Sequence, residues 1–247
     1  MEDKSLIQPV RTKLDETGEQ SAPRIRPGEV VSEVPAGHTI IKAAGLELKN
    51  LLGTPYSGVN MEVKAGQVFA ICGQKGSGKT SLLLTCAGRM LFTKGTLEIM
   101  GRRMPRGLRY VNKRARMAHF EGLNDINGNE RVANAFSAEF QLYSRKPKKQ
   151  DVLDYLEEWD LQDYAGMRIS ELDRKRFVIL YVALAWVSHP AIVVVDDIES
   201  DLAKAQSERI MNLLLNLAHE RNVTVLVGVL ERDLAKMADG ALYMGEE

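Results

Sequence analysis

In the stretch GQKGSGKTS, Gly73, Gly76 and Gly78 are followed by Lys79 and Thr80, which fits the phosphate-cradling pattern G-x-x-x-x-G-K-[ST]. Such a loop points successive backbone N–H groups inward. Its glycines permit the angles, and the helix behind it presents its positive end to phosphate oxygens. The cradle predicted here runs through Gly73, Gln74, Lys75, Gly76, Ser77, Gly78, Lys79, Thr80 and Ser81. Lys79 is expected to reach the outer phosphates and the Thr80 hydroxyl to ligate Mg²⁺, with Ser81 capping or supporting it. Far along the chain, AIVVVDDIES places an apolar run ahead of Asp196. A strand built from that run leaves Asp196 at its C-terminal end, where such sheets bind ligands, and an acid there can orient a Mg²⁺-bound water.

These groups work only if a strand and a helix flank the loop. GVNMEVKAGQVFAICG supplies apolar and alternating runs ending at the loop, and TSLLLTCAGRM continues with helical spacing. TIIKAAGLELKNLL and GTLEIMG read as further strands. NERVANAFSAEFQLYS and KKQDVLDYLEEWDLQDYA have apolar residues at helical spacing and no strand between them, so a helical subdomain is expected over about residues 121–176. DRKRFVILYVALAWVS reads as a helix stopped at Pro190, then AIVVVDD as a buried strand, DLAKAQSERIMNLLLNLAHE as a helix and VTVLVGV as a strand. A short helix and ALYM close the pattern. Strands apolar throughout, alternating with helices, predict a mostly parallel α/β sheet covered on both faces. Residues 1–38 hold four of the eight prolines and no aromatic residue, and read as a flexible tail ahead of one domain over 39–247.

A chain of 247 residues with 45% hydrophobic and 27% charged residues can bury a full core. Lys+Arg and Asp+Glu both number 33, so no overall field favours a polyanion and any such binding must be local. Only GRRMPRGLRYVNKRAR, with seven basic residues in sixteen, concentrates charge; with a single tyrosine among them, it reads as a solvated strand-and-turn face and no nucleic acid is expected. Cys72 and Cys86, the only cysteines, read as small apolar core residues. No apolar run reaches the roughly 18 residues that span a bilayer, and MEDKSLIQPV lacks the apolar core of a secretory signal, so a cytoplasmic location is expected.

Together, the G-x-x-G-x-G-K-T loop, the helical insert, the helix running into HPAIVVVDD and the closing strand make the chain resemble, over about residues 40–245, the ATP-binding subunit of an ABC (ATP-binding cassette) system. GTPases, the nearest rival, would need an Asp of N-K-x-D where NKRA has Ala115. The resemblance implies a P-loop (RecA-like) fold with a strand-rich N-terminal edge. It also implies ATP and Mg²⁺ as cofactors, and a second ATP-binding subunit, in a homodimer or heterodimer, that closes over the nucleotide. A membrane-spanning permease subunit would hold the pair peripherally at the inner face of a membrane.

Several family positions are altered. The signature LSGGQ corresponds to ISELD, where Ser170 survives but Glu171 and Leu172 replace both glycines. The catalytic Glu corresponds to Asp197, one methylene shorter, and the metal-contacting glutamine to Glu121. The switch histidine falls in GVLERD, which has none, and the adenine-stacking aromatic has only Leu51, Leu52 and a displaced Tyr56 to choose from. ATP binding with slow hydrolysis is therefore expected. The alternatives are a non-hydrolysing nucleotide-gated regulatory or assembly subunit, and a soluble member of the family acting on ribosomes or DNA.

Overall fold

The structure is a computed structural model and describes residues 34–51, 53–143 and 147–245. The chain begins with the strands Thr39–Asn50 (β1), Gly53–Lys64 (β2) and Val68–Cys72 (β3), the helix Lys79–Cys86 (α1), and the strands Lys94–Ile99 (β4) and Arg102–Arg103 (β5). A short helix, Leu108–Arg114 (α2), leads into Ala115–Met117 (β6). Three helices follow, Val132–Tyr143 (α3), Lys149–Glu158 (α4) and Arg174–Trp186 (α5), with 3₁₀ turns at Gln162–Tyr164 and Ile169–Glu171 before the last. The remainder alternates through Ile192–Val195 (β7), Lys204–Arg221 (α6), Thr224–Val229 (β8), Arg232–Ala235 (α7) and Gly240–Tyr243 (β9).

The strands form two sheets. β6-β7-β8-β3-β9 is parallel throughout, and the strand-rich N-terminal edge is a separate antiparallel sheet, β2-β1-β4-β5. The run VFAIC in β3 and IVVV in β7 are buried at every residue, as strands covered on both faces must be. Their side chains alternate between two cores. Ile71, Val194 and Leu226 face α1 and the antiparallel sheet, whereas Ala70, Val195 and Val227 face α5 and α6.

The helical subdomain packs on itself through aromatic side chains: the Tyr155 ring lies 5.2 Å from Phe140 and 5.6 Å from Phe136. Among the described residues between 121 and 176 the only β pairing is an isolated bridge, Arg131 to Arg168.

Of the segment read as a tail, residues 1–33 lie outside the described residues. Further on, the Asn222 amide donates to the Val34 carbonyl, and the Gly37 N–H to that of Ala65. The basic stretch 101–116 departs from the strand-and-turn expectation, because α2 occupies its centre. Leu108 and Val111, three residues apart, put one side of that short helix on the core, and Val111 is fully buried.

Candidate functional site

Register brings the site together. Val195 of β7 pairs with Val227 of β8, Cys72 of β3 pairs with Val229, and Met117 of β6 pairs with Val194. All four strands therefore end along one edge of the parallel sheet, and the segments beginning at Ala118, Gly73, Asp196 and Leu230 converge there. They line a cleft of about 770 Å³ that reaches from Asn50, Thr54 and Pro55 to Glu121, Asp197 and Leu230.

The glycine loop lies on the floor of this cleft. Gly76 and Gly78 take φ of 84° and 91°, a region that glycine enters without penalty. Gly78 also has no room for a side chain, because a Cβ there would stand 2.7 Å from the carbonyl carbon of Pro55. The Lys79 ammonium, buried at the first turn of α1, donates to the carbonyls of Gly73 at 2.5 Å and Gln74 at 3.0 Å. Two of its three donors are thereby used, which leaves one for an incoming anion. Gln74 and Lys75 are exposed on the loop, and the Ser77 Oγ is buried without a partner.

The Thr80 hydroxyl donates to Asp196 Oδ2 at 2.5 Å, so the loop and the acid after β7 meet directly. Burial pushes the Asp196 carboxyl above the usual carboxylate range; the Thr80 bond opposes this and the neighbouring Asp197 adds to it. A cation between Thr80 and Asp196 would relieve that penalty. No group of three His, Cys, Asp or Glu side chains among the described residues could cage an ion. An ion here would therefore take most of its ligands from phosphate oxygens and water, as Mg²⁺ commonly does.

Asp197 sits with φ of 49°, in the left-handed region, and its Oδ1 is buried without a hydrogen-bond partner. It lines the cleft, as does the exposed Glu121.

Other expected positions differ from the expectation in place or in role. Ser170 is exposed on the 3₁₀ turn and does not line this cleft; its N–H is bonded to the Gly128 carbonyl. Glu171 accepts from the Arg168 N–H and Leu172 packs on the core, so both residues of the ISELD turn serve local structure. Ser81 is not a helix cap: the N-cap of α1 is Gly78, with no side-chain bond, and Ser81 lines the cleft from inside the first turn. Tyr56 cannot stack on a ligand, because it is buried in β2 with its hydroxyl 2.8 Å from Thr85 Oγ1. Leu51 is fully exposed at the β1–β2 turn, and Leu52 lies outside the described residues. His219, on α6 ahead of β8, is not among the residues lining the cleft and pairs with Asp239 at 2.9 Å.

Among the residues at or beside the site that were not singled out from sequence, four shape it most directly. Gly228, inside β8, faces Asp196: a Cβ there would stand 3.4 Å from the Asp196 carboxyl carbon and 3.1 Å from Leu83 Cδ1, and well inside contact distance of Oδ1. A lone glycine within the apolar run VTVLVGV is a readable sign of close approach. His119 is buried against the ring edges of Phe177 and Tyr181, 5.3 and 4.9 Å away, and burial, then the charge of Arg174, lower its pKa. Arg174, at the start of α5, reaches the cleft and donates to the Ser200 carbonyl at 3.2 Å. Glu199 accepts from the N–H groups of Leu230 and Glu231, so a carboxylate anchors the loop that lacks a histidine. Nothing local in the sequence marks these last three.

A phosphate-cradling loop between a buried parallel strand and a helix, met by an acid from the end of β7, on the far side of β8 in the same sheet, defines a P-loop nucleotide-binding protein. The profile of the ABC transporter family matches residues 56–200, more than half of the chain, and the chain belongs to that family. It is 26% identical over 197 residues to the methionine import ATP-binding protein MetN of Lactobacillus acidophilus, covering 76% of this chain and 56% of that one. It is 28% identical over 185 residues to the phosphonates import ATP-binding protein PhnC 1 of a Ruegeria species, covering 69% and 71%. The match thus spans little more than half the length of the methionine-import relative. Among solved structures, CbiO1 of Clostridium perfringens, part of an ABC transporter complex, superposes with a TM-score of 0.72 at 19% identity, covering 83% of this chain and 84% of that one. A dimeric ATP-binding cassette bound to ADP and phosphate superposes with a TM-score of 0.69 at 20% identity, covering 83% and 94%. These likenesses establish the fold.

Proposed function

We propose that this chain is the ATP-binding subunit of an ABC-type membrane transport complex, binding Mg-ATP at the Gly73–Ser81 loop and hydrolysing it slowly. The observation that carries this reading is the direct bond from Thr80 to Asp196 beside the buried Lys79 ammonium. Loop N–H groups and Lys79 would hold the phosphates, while Thr80 and Asp196 would hold Mg²⁺, with Glu121 on the cleft wall beside them. Bound Mg²⁺ would supply charge neutralisation on the phosphates. The Asp197 carboxylate, on the cleft lining, would accept the proton of an attacking water. That carboxylate stands about 1.5 Å short of a glutamate's reach, and misplacements near 1 Å can cost about 10²-fold.

The ATP-binding subunits named among the relatives serve import, which supports partnership with a membrane-spanning permease and a second ATP-binding subunit, and a peripheral position at the membrane. No helix among the described residues is long and apolar enough to cross a membrane. Ser170 would face nucleotide only on the second subunit, through a turn whose Glu171 adds a like charge near phosphate. That charge favours a second reading, a nucleotide-gated regulatory or assembly subunit that does not hydrolyse ATP.

Calorimetry with Mg-ATP tests the binding site: the parent chain is expected to bind and Lys79→Ala to bind much more weakly. No binding by the parent at millimolar ATP overturns the proposal. Phosphate release by the purified complex separates the two readings.

A further inference from the structure

The basic stretch has no role in the nucleotide site. Between Glu98 and Glu121 the sequence has no acidic residue, yet it carries Arg102, Arg103, Arg106, Arg109, Lys113, Arg114 and Arg116. The fold puts Arg102 and Arg103 on β5, the outermost strand of the antiparallel sheet, and Arg109 and Lys113 on the adjoining helix α2. Arg102, Arg103, Arg106, Arg109 and Lys113 are all exposed, and none forms an ion pair among the described residues. Even Glu98, opposite Arg103 in the β4–β5 register, makes no ion pair with it. Like charges also crowd at the margin: burial, then the charge of Arg116, hold Arg89 below its ordinary pKa. A neutral chain that gathers this many unpaired cations on one face maintains a repulsion that an anionic surface would relieve.

Two exposed leucines flank the face. Leu91, 57% exposed, lies in the loop after α1; a Cβ on Gly88 of that loop would stand 3.1 Å from Val111 of α2, so the loop packs against the helix. Leu142, 72% exposed, precedes Tyr143, whose ring centroid is 5.2 Å from the Arg116 guanidinium. The single tyrosine of the stretch, Tyr110, is half-buried and already engaged by the guanidiniums of Arg114 at 3.9 Å and Arg102 at 4.9 Å. Nucleic-acid surfaces that stack bases need free aromatic rings. Exposed cations with flanking leucines instead match the headgroup and upper acyl region of a bilayer.

We infer that the β5–α2 face, from Arg102 to Lys113, binds the anionic headgroups of a phospholipid surface directly. The contact deepens the peripheral membrane position proposed above, but does not depend on nucleotide binding.

The test is flotation of the purified full chain with phosphatidylcholine vesicles, with and without about 30% phosphatidylglycerol. Binding is expected only to the anionic vesicles, and is expected to weaken strongly between about 0.05 and 0.5 M salt as charges are screened. Each cation near such a surface is worth about fivefold in partitioning, so Arg106→Gln/Arg109→Gln/Lys113→Gln should bind roughly 100-fold more weakly. The substituted side chains are exposed, so this variant should keep the parent's melting temperature and Mg-ATP affinity. Lys79→Ala should float like the parent, which separates this inference from the nucleotide reading. Equal binding to neutral vesicles, or unchanged binding by the triple variant, overturns the inference. So does tight binding to a duplex oligonucleotide with none to anionic vesicles, which would assign the face to nucleic acid.

Discussion

Replacing Gly228 by alanine tests whether the fit between β8 and Asp196 holds the site. The added Cβ would stand 3.1 Å from Leu83 Cδ1 and 3.4 Å from the Asp196 carboxyl carbon, with Oδ1 nearer still. Gly228 lies in extended strand, so alanine meets no backbone penalty there and would otherwise stabilise the strand by roughly 0.5–1 kcal/mol. Overpacking typically costs about 1–3 kcal/mol, but the nearest obstacle is the tip of a short side chain that can swing aside. The net loss of stability should therefore be small, about 1 kcal/mol, or a fall in Tm of about 2–4 °C for a domain of this size. The larger effect should fall on the site. Moving the carboxylate off Gly228 disturbs its bond to Thr80 Oγ1, and shifting a metal-holding group typically costs about 10–100-fold in metal affinity. Thermal unfolding with and without Mg-ATP, and calorimetry with ATP in Mg²⁺ and in EDTA, would measure both. A variant that melts with the parent and binds Mg-ATP equally well would show that Asp196 is not positioned through Gly228.

Asp197→Glu restores reach to the proposed base and should raise phosphate release by up to about 10²-fold. It should also lower Tm slightly, because glutamate tolerates the left-handed φ of 49° less well than aspartate; an unchanged rate with Mg-ATP still bound would show that reach is not limiting. Since burial raises the Asp196 pKa, its contribution to apo stability is present below the unfolded-state pKa and is lost as pH rises through the folded one. Protons should accordingly compete with Mg²⁺, and on acidification Mg-ATP affinity should begin to fall above the pH of about 3.9 at which a free aspartate titrates. Asp196→Asn should abolish that part of the pH dependence, and a parent profile matching that variant's would refute it. His119 has a lowered folded-state pKa, so its contribution is present above the ordinary histidine range and is lost as pH falls. His119→Phe, which keeps an aromatic ring between Phe177 and Tyr181, should flatten the loss of stability below pH of about 6.5 in denaturant titrations; an equal loss in both proteins would refute the assignment.

Much of what depends on neighbours along the chain was legible in sequence. The loop from Gly73 to Ser81, the strand ahead of Asp196 and the helices of the middle segment follow from residue spacing, because glycine angles and apolar periods act over a few residues. Glu171 and Leu172 were singled out from sequence too, but only the fold shows one capping a turn and the other packing on a core. The short helix in 101–116 was missed because charge outweighed the apolar pair Leu108 and Val111 in the reading, whereas packing on the core decided the backbone. Tertiary structure alone decided that Gly228 makes room for Asp196, that Arg174 and His119 share the cleft with Lys79, and that Glu199 anchors the loop after β8. The physical reason is sheet register. Pairing Val195 with Val227 and Cys72 with Val229 sets strand ends from three distant segments side by side, and no spacing along a single segment encodes that alignment.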